Sequence, residues 1–341
     1  RNVFHIEFDT SNTDLTYRIG EALGVYGHND ATDVSEFIDF YGLNAHDTVK
    51  IRSHDGTKME VRTVEQVLTQ YLDITGRPTR RFYGALAAFA TDEKERAHLE
   101  KLASAEGGAE FKKRVAATVT FMDLFKEFQS AHPTFTELCE IVPRIKARHY
   151  SIASSQKMHA NSVHLLVVLV GWTNPEGKQR YGQCTNYLVN LKPGTEVTVD
   201  IMPSVLQLPE DHTKPIVMAG LGTGMAPFRA FIEERAALYS RGVKVGPMAL
   251  YFGSRSQRME YLYGEELEAY HASGLLTNLQ CAFSRDGPKK VYIQHKLQDD
   301  AEVLSDMLQA KGGSFFLCGP TWPAGDVEDA ITAAFKNVGG V

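Results

Sequence analysis

The sequence predicts an antiparallel β-barrel carrying a helical insert, followed by a doubly wound α/β domain. Three observations carry this prediction. "VFHIEFDT" alternates apolar and polar residues, and "SVHLLVVLV" is almost continuously apolar, as half-buried and buried strands do. Residues 32–144 instead carry apolar side chains at helical intervals. From Pro215 onward strand-like and helix-like segments alternate, the pattern of a parallel sheet covered on both faces.

At 341 residues the chain exceeds one compact core. Shifts in pattern divide it into a first barrel part (1–31), a helical connecting segment (32–144), a second barrel part (145–211) and the α/β domain (212–341). The net charge of −6 argues against a nucleic-acid footprint and against a polybasic membrane patch. No window approaches a membrane-spanning apolar run. The 4 cysteines form no CxxC pair and the 12 histidines show no HExxH spacing, so we expect a reducing compartment and no bound metal. The expected location is the cytoplasm or the mitochondrial matrix.

"RNVFHIEFDT" reads as a strand rather than a signal peptide. "DLTYRIGEALGVYGHND" continues the strand pattern, broken by Gly20, Gly24 and Gly27. "DVSEFIDFYGL", "TVEQVLTQYL", "RRFYGALAAFA", "DEKERAHLEKLAS" and "AEFKKRVAATVTFMDLFKEFQ" then read as helices. After Arg148 the strands resume with "SVHLLVVLV" and "GTEVTVDIM", with the short helix "CTNYLVNL" between them. The last part predicts a five-strand α/β domain built on "PIVMAG", "PMALYFG", "LQCAFS" and "SFFLCG".

"IVMAGLGTGMAPFRAFIEE" joins a buried strand to a helix through a glycine-rich turn, with Pro227 near the helix start. Gly220, Gly222 and Gly224 let a backbone approach a diphosphate, and the helix end supplies free N–H groups. The spacing G-x-G-x-G departs from the usual dinucleotide fingerprint, and a tightly packed turn is the plain alternative. The next strand ends in Ser254–Arg255–Ser256–Gln257–Arg258 and the third in Ser284–Arg285, followed by Lys289 and Lys290. Cations at successive strand ends suit the 2′-phosphate of NADP(H) rather than NAD.

"RHYSIASS" puts a cation, a flat ring and a hydroxyl at the mouth of a strand. A polar loop capping a sheet would explain it. A flavin would too, needing the cation at its pyrophosphate, the ring against its tricycle and a hydrogen-bond partner at N5.

"RHYSIASS", "GQCTNYL", "GTGMAPFRAF", "YFGSRSQRMEYLYGEEL", "FSRDGPKKVYIQHKL" and "FLCGP" stand in the order found in the ferredoxin–NADP reductase superfamily, which this chain resembles along essentially its whole length. The helical insert and "YLYGEEL" narrow the resemblance to the diflavin reductase branch. "LCGPTWP" is most similar to the sulfite reductase flavoprotein subunit and to the reductase part of pyruvate:NADP⁺ oxidoreductase.

The resemblance implies FAD and NADP(H) as cofactors and hydride transfer between them, with FMN on a flavodoxin-like domain of the same longer chain or of a partner. A downstream redox protein would be the further partner. It implies that Arg148 binds the FAD pyrophosphate, Tyr150 stacks on the ring and Ser151 lies near N5. Gly182, Gln183, Cys184 and Thr185 match a second pyrophosphate contact. Gly222, Thr223 and Gly224 match the nicotinamide-side diphosphate contact. Ser284, Arg285, Lys290, Tyr292 and Gln294 match the 2′-phosphate and adenine-ribose contacts, and Arg255 another NADP contact. Cys318 matches the cysteine beside the nicotinamide, so Ser151 and Cys318 are the expected catalytic pair. His149 stands where relatives often carry Tyr. The family's terminal aromatic over the flavin has no counterpart before Val341, and the first barrel strand is missing, so we read both ends as trimmed. Two rival readings are a single-flavin ferredoxin–NADP reductase, against which the insert speaks, and a non-catalytic NADP-sensing or docking module.

Overall fold

The computed structural model describes residues 2–53 and 56–339. In chain order the first elements are β1 (Val3–Asp9), β2 (Ala22–Val25), α1 (Ala31–Tyr41), β3 (Thr48–Arg52), β4 (Met59–Thr63) and α2 (Val64–Gln70). Five helices follow: α3 (Arg80–Ala87), α4 (Glu93–Ala103), α5 (Gly108–Ala116), α6 (Phe121–Glu127) and α7 (Phe135–Ile141). Then come β5 (Arg148–Ser151), β6 (Ser162–Val168), β7 (Gly171–Thr173), β8 (Gln179–Tyr181), α8 (Gln183–Val189) and β9 (Val199–Met202). The remainder is β10 (Ile216–Leu221), α9 (Ala226–Ser240), β11 (Met248–Ser254), α10 (Gln257–Glu260), α11 (Gly264–Ala272), β12 (Asn278–Phe283), α12 (Ile293–Asp299), α13 (Ala301–Leu304), β13 (Ser314–Cys318) and α14 (Ala324–Gly339).

The chain folds as two compact units. One unit comprises Arg1–Gly24, His149–Val168 and Asp200–Val341. Its parallel sheet has the order β12-β11-β10-β13, four strands where the sequence suggested five. The four strand-like segments of the sequence account for all of them. Side chains alternate across the sheet, so Ile216, Met218, Leu250 and Phe252 pack with Phe228 and Phe231 of α9 on one face. Val217, Ala219, Ala249 and Tyr251 pack with Ile293, Leu297, Val327 and Ala330 on the other. Two cores on opposite faces are what a doubly wound sheet requires. In the same unit β1 pairs antiparallel with β6, from Val3 opposite Val168 to Asp9 opposite Ser162.

The other unit comprises Val25–Arg148 and Leu169–Val199. Its core gathers Phe37, Leu68, Tyr83, Leu99, Phe121 and Phe125 from the helices. The run "AEFKKRVAATVTFMDLFKEFQ" is two helices, not one. Thr118 takes a φ of 55°, and Thr120 restarts the chain with its Oγ1 accepting from Asp123 N at 3.1 Å. Two hairpins, β3–β4 and β7–β8, went unread because each strand is at most five residues long. Conversely, "DLTYR" is irregular and only the last four residues of "GTEVTVDIM" form a strand. Among the described residues the antiparallel strands pair as separate ladders, with β5-β2-β9 forming a three-stranded sheet.

Candidate functional site

The growth of the parallel sheet reverses between β10 and β13. Such a switch point opens a crevice beyond the carboxyl ends of the two strands. The glycine turn and Cys318 both lie there. After β10 the chain makes a 3-10 turn over Gly222–Met225 and enters α9, with Pro227 in the first turn. Gly222 has a φ of 57°, which L side chains rarely adopt. A Cβ on Gly224 would fall 2.1 Å from the Cys318 carbonyl oxygen, so the turn is pressed onto the end of β13 and only glycine fits. No side chain caps the Gly222–Met225 turn or α9. Ala226 N donates to Thr223 O and Pro227 has no N–H, so it is the glycine turn that stands at the positive end of the helix dipole, where an anion is favoured. Burial pushes the Cys318 thiol up, making it a neutral S–H rather than a nucleophilic thiolate.

The ends of β11 and β12 lie side by side. Ser284 N donates to Ser254 O at 3.0 Å and Arg285 N to Arg255 O at 2.8 Å. Arg285 and Lys290 are exposed at this edge. Arg255 is engaged: its Nε and Nη2 donate to Glu260 at 3.1 and 2.8 Å. Burial raises the Glu260 carboxyl, but bonds from Arg255 and Ser254 outweigh it and hold it at about 2. Tyr292 immediately precedes α12 and Gln294 sits in its first turn, with Gln294 Nε2 3.4 Å from Asp326 Oδ2.

Tyr150 and Ser151 close β5 half-buried. The chain just beyond them is fastened to α9. Arg229 Nη1 donates to Ala153 O at 2.6 Å, Glu233 accepts from Ser155 N at 2.8 Å, and Glu234 accepts from Ser155 Oγ at 2.5 Å. Arg229 also pairs with Glu233 at 2.8 Å and Glu266 at 3.1 Å. Arg229 and Glu233 are both buried. Sequence reasoning missed this network, although the i,i+4 spacing of Arg229 and Glu233 was its one visible signal.

In the other unit Arg148 is exposed, its Nη1 donating to Lys146 O at 3.2 Å. Burial raises the Asp73 carboxyl, and the charge of Arg148 draws it back down. Gly182 caps α8. The side chains that follow are occupied with backbone: Gln183 Nε2 donates to Gly27 O at 2.7 Å, and Thr185 Oγ1 to Gly182 O at 3.1 Å. Cys184 is buried with its Sγ 3.7 Å from Val25 O. Any anion contact at Gly182–Thr185 therefore falls to main-chain N–H groups. A cleft of about 400 Å³ opens beside Gln183, lined also by Thr75, Arg77, Thr120, Trp172 and Arg180. Trp172 was not singled out from the sequence. Its half-exposed indole faces Arg77 at 5.8 Å and donates to Thr118 Oγ1 at 3.4 Å.

Residues 1–187 match the FAD-binding domain family, more than half of the chain. The chain belongs to that family. Within it, residues 218–328 of this FAD-binding family member also match the oxidoreductase NAD-binding domain. The probable NADPH sulfite reductase flavoprotein component of Schizosaccharomyces pombe is 51% identical over 340 residues, covering 99% of this chain and 34% of that protein. The corresponding protein of Saccharomyces cerevisiae is 45% identical, over 97% of this chain and 32% of its own length. The mitochondrial NADP⁺ pyruvate dehydrogenase of Euglena gracilis is 40% identical, over 96% of this chain and 18% of its own. The chain thus spans about a third or less of these relatives. The resemblance to the diflavin reductases, with sulfite reductase flavoprotein and the pyruvate enzyme foremost, is borne out.

FAD and a nicotinamide dinucleotide are the cofactors of these two domain families. The residues present fit them. The uncapped start of α9 and the glycine cradle against Cys318 suit a diphosphate. The Trp172 cleft offers a flat face to a base and Arg77 to an anion, while Arg180 on its wall is paired with Asp123. No helix among the described residues is long and apolar enough to cross a membrane.

Proposed function

We propose that this chain is the FAD-bearing, NADPH-oxidising part of a longer flavoprotein, passing electrons to an FMN domain in the same chain or a partner and thence to a downstream redox protein. The observation that carries the reading is the fastening of the Tyr150–Ser151 strand to α9. That helix also opens the glycine crevice closed by Cys318. A strand end suited to one cofactor and a crevice suited to the other thereby belong to one compact unit.

FAD supplies the chemistry when bound, taking two electrons as hydride and releasing them singly. The protein's own residues bind and orient. Arg148 and the N–H groups of Gly182, Gln183, Cys184 and Thr185 take the FAD pyrophosphate, and Trp172 offers a face to its adenine. Tyr150 packs on the flavin ring, and the Ser151 hydroxyl holds a hydrogen bond at its reacting edge. Gly222, Thr223 and Gly224 take the coenzyme diphosphate. Ser284, Arg285 and Lys290 select the 2′-phosphate, Tyr292 and Gln294 hold the adenosine, and Arg255 makes a further coenzyme contact. Cys318, a neutral and polarisable wall, confines the nicotinamide to near-attack geometry. The segments 1–31 and 145–211 are the two parts of a flavin-binding barrel, 32–144 the connecting segment and 212–341 the coenzyme domain. The mitochondrial name of one relative and four free thiols support a matrix or cytoplasmic location.

The test is flavin extraction with chromatography, followed by NADPH-driven ferricyanide reduction. One FAD, no FMN and turnover with ferricyanide are expected. An equimolar FMN peak, or a chain that binds NADPH without reducing ferricyanide, overturns the reading; the latter is the outcome a sensing module predicts.

A further inference from the structure

His5 and Glu7 stand two residues apart on β1, and hence on one face of it. The ladder register sets Glu7 directly opposite His164 of β6. One donor atom from each of the three lies within 4.8 Å of the others. Glu7 Oε1 is 3.1 Å from His5 Nε2, and Glu7 Oε2 is 4.0 Å from His164 Nε2. The rings of His5 and His164 meet edge to face, with centroids 5.0 Å apart.

The outer contact of His5 is the one a ligating histidine needs. His5 Nδ1 lies 2.8 Å from Tyr263 Oη, so that hydroxyl can accept the Nδ1 proton and leave the Nε2 lone pair toward Glu7. Tyr263 is itself held in place at a φ of 58°, rare for an aromatic residue, with the Arg229 guanidinium 4.8 Å over its ring. Arg229 Nη1, 3.5 Å from His164 Nδ1, can only donate, so ligation through Nε2 requires the His164 proton to move to Nδ1 and this long contact to be given up; Arg229 keeps its pairs with Glu233 and Glu266. His159 packs against His164, but its Nε2 is engaged by Glu233 at 2.9 Å, so it stands outside the donor set.

We propose that His5, Glu7 and His164 form a site for a divalent transition-metal ion of the zinc class, bridging β1 and β6. Two imidazoles and one carboxylate suit Zn²⁺ or Co²⁺ better than Mg²⁺ or Ca²⁺, and a water completes four-coordination. Bonds of about 2.0–2.2 Å require the donors to draw together. The Glu7 side chain, 61% exposed, has room to rotate inward, while His5, 29% exposed, keeps its Tyr263 contact. Ser162 Oγ, 2.5 Å from His164 Nε2, must give up that bond for the ion to take its place. The ion would tie β1 to β6 across one face of the ladder.

The experiment uses the full chain without an affinity tag, stripped with EDTA and titrated with Co²⁺ and then Zn²⁺. One equivalent of Co²⁺ should give the visible bands of a four-coordinate ion, Zn²⁺ should displace it, and Zn²⁺ should raise the unfolding temperature. His5→Gln and Glu7→Gln change exposed side chains, and each should weaken Zn²⁺ binding at least about tenfold. His159→Gln should bind as the wild type does. Absence of saturable one-equivalent binding to the wild type overturns the proposal. Wild-type affinity in both His5→Gln and Glu7→Gln, or an equal loss in His159→Gln, overturns it too.

Discussion

Arg229 Nη1 donates to the carbonyl of Ala153 at 2.6 Å, joining the helix of the coenzyme crevice to the chain two residues beyond Ser151. The same guanidinium is paired with buried Glu233, which also accepts from Ser155 N. Arg229→Met would leave Glu233 charged, buried and short of its partner, a loss of about 3–5 kcal/mol. Urea denaturation should show that loss. In the fraction that stays folded, flavin reduction by NADPH should slow more than NADPH affinity falls. A wild-type reduction rate would mean that the network stabilises without orienting.

FAD retention should depend on Arg148, an exposed cation ahead of Tyr150 and Ser151. Arg148→Ala should weaken FAD binding by about 1.5–3 kcal/mol, the range for a hydrogen bond to a charged group. Fluorescence titration of the apoprotein measures it, and an unchanged dissociation constant removes Arg148 from the site.

Coenzyme choice should rest on Arg285. Arg255 is tied to Glu260, whereas Arg285 is exposed at the adjacent strand end. Arg285→Ala should raise KM for NADPH strongly and leave NADH nearly untouched, because only NADPH carries the 2′-phosphate. Steady-state kinetics with both coenzymes decide, and equal losses would mark the cluster as structural.

Cys318 and Gly224 should separate alignment from binding. Cys318→Ala keeps the main chain against the glycine turn and should slow flavin reduction with little change in NADPH affinity. Gly224→Ala puts a carbon 2.1 Å from the Cys318 carbonyl, so it should lower NADPH affinity and stability together. Stopped-flow reduction of Cys318→Ala at the wild-type rate would return that residue to packing alone.

Stability should fall in mild acid because of His164. Burial, then the charge of His159, bring its imidazole down to about 4 from 6.5, with Arg229 and His5 acting in the same direction and Glu7 opposing. Below pH 6.5 the unfolded histidine takes a proton that the folded one refuses, so the contribution present above that pH is lost as pH falls toward 4. Urea midpoints in EDTA between pH 7.5 and 4.5 should show the slope, and His164→Gln should flatten it. An unchanged slope in that variant would place the acid sensitivity elsewhere.

The elements that the sequence showed clearly are those whose signal is local. "PIVMAG" and "PMALYFG" are apolar runs bounded by glycine, and "PFRAFIEERAALYSRG" has helical period, so each declares itself within its own residues. The hairpins β3–β4 and β7–β8 did not, because strands of three to five residues become stable only by pairing. Trp172 was silent for the same reason: a tryptophan in a short strand says nothing until a cleft is seen beside it.

By itself the sequence determined the two kinds of sheet, the glycine turn ahead of α9 and the basic strand ends, since backbone reach, period and charge are properties of neighbouring residues. Tertiary structure alone decided that Gly224 abuts Cys318, that Arg255 is held by Glu260, and that Arg229 clamps Ala153. It alone set Glu7 opposite His164, where histidine spacing had pointed away from any metal. Those partners are brought together by strand register and sheet order. Register follows from which faces bury apolar surface across the whole fold, and no local window of sequence contains that sum.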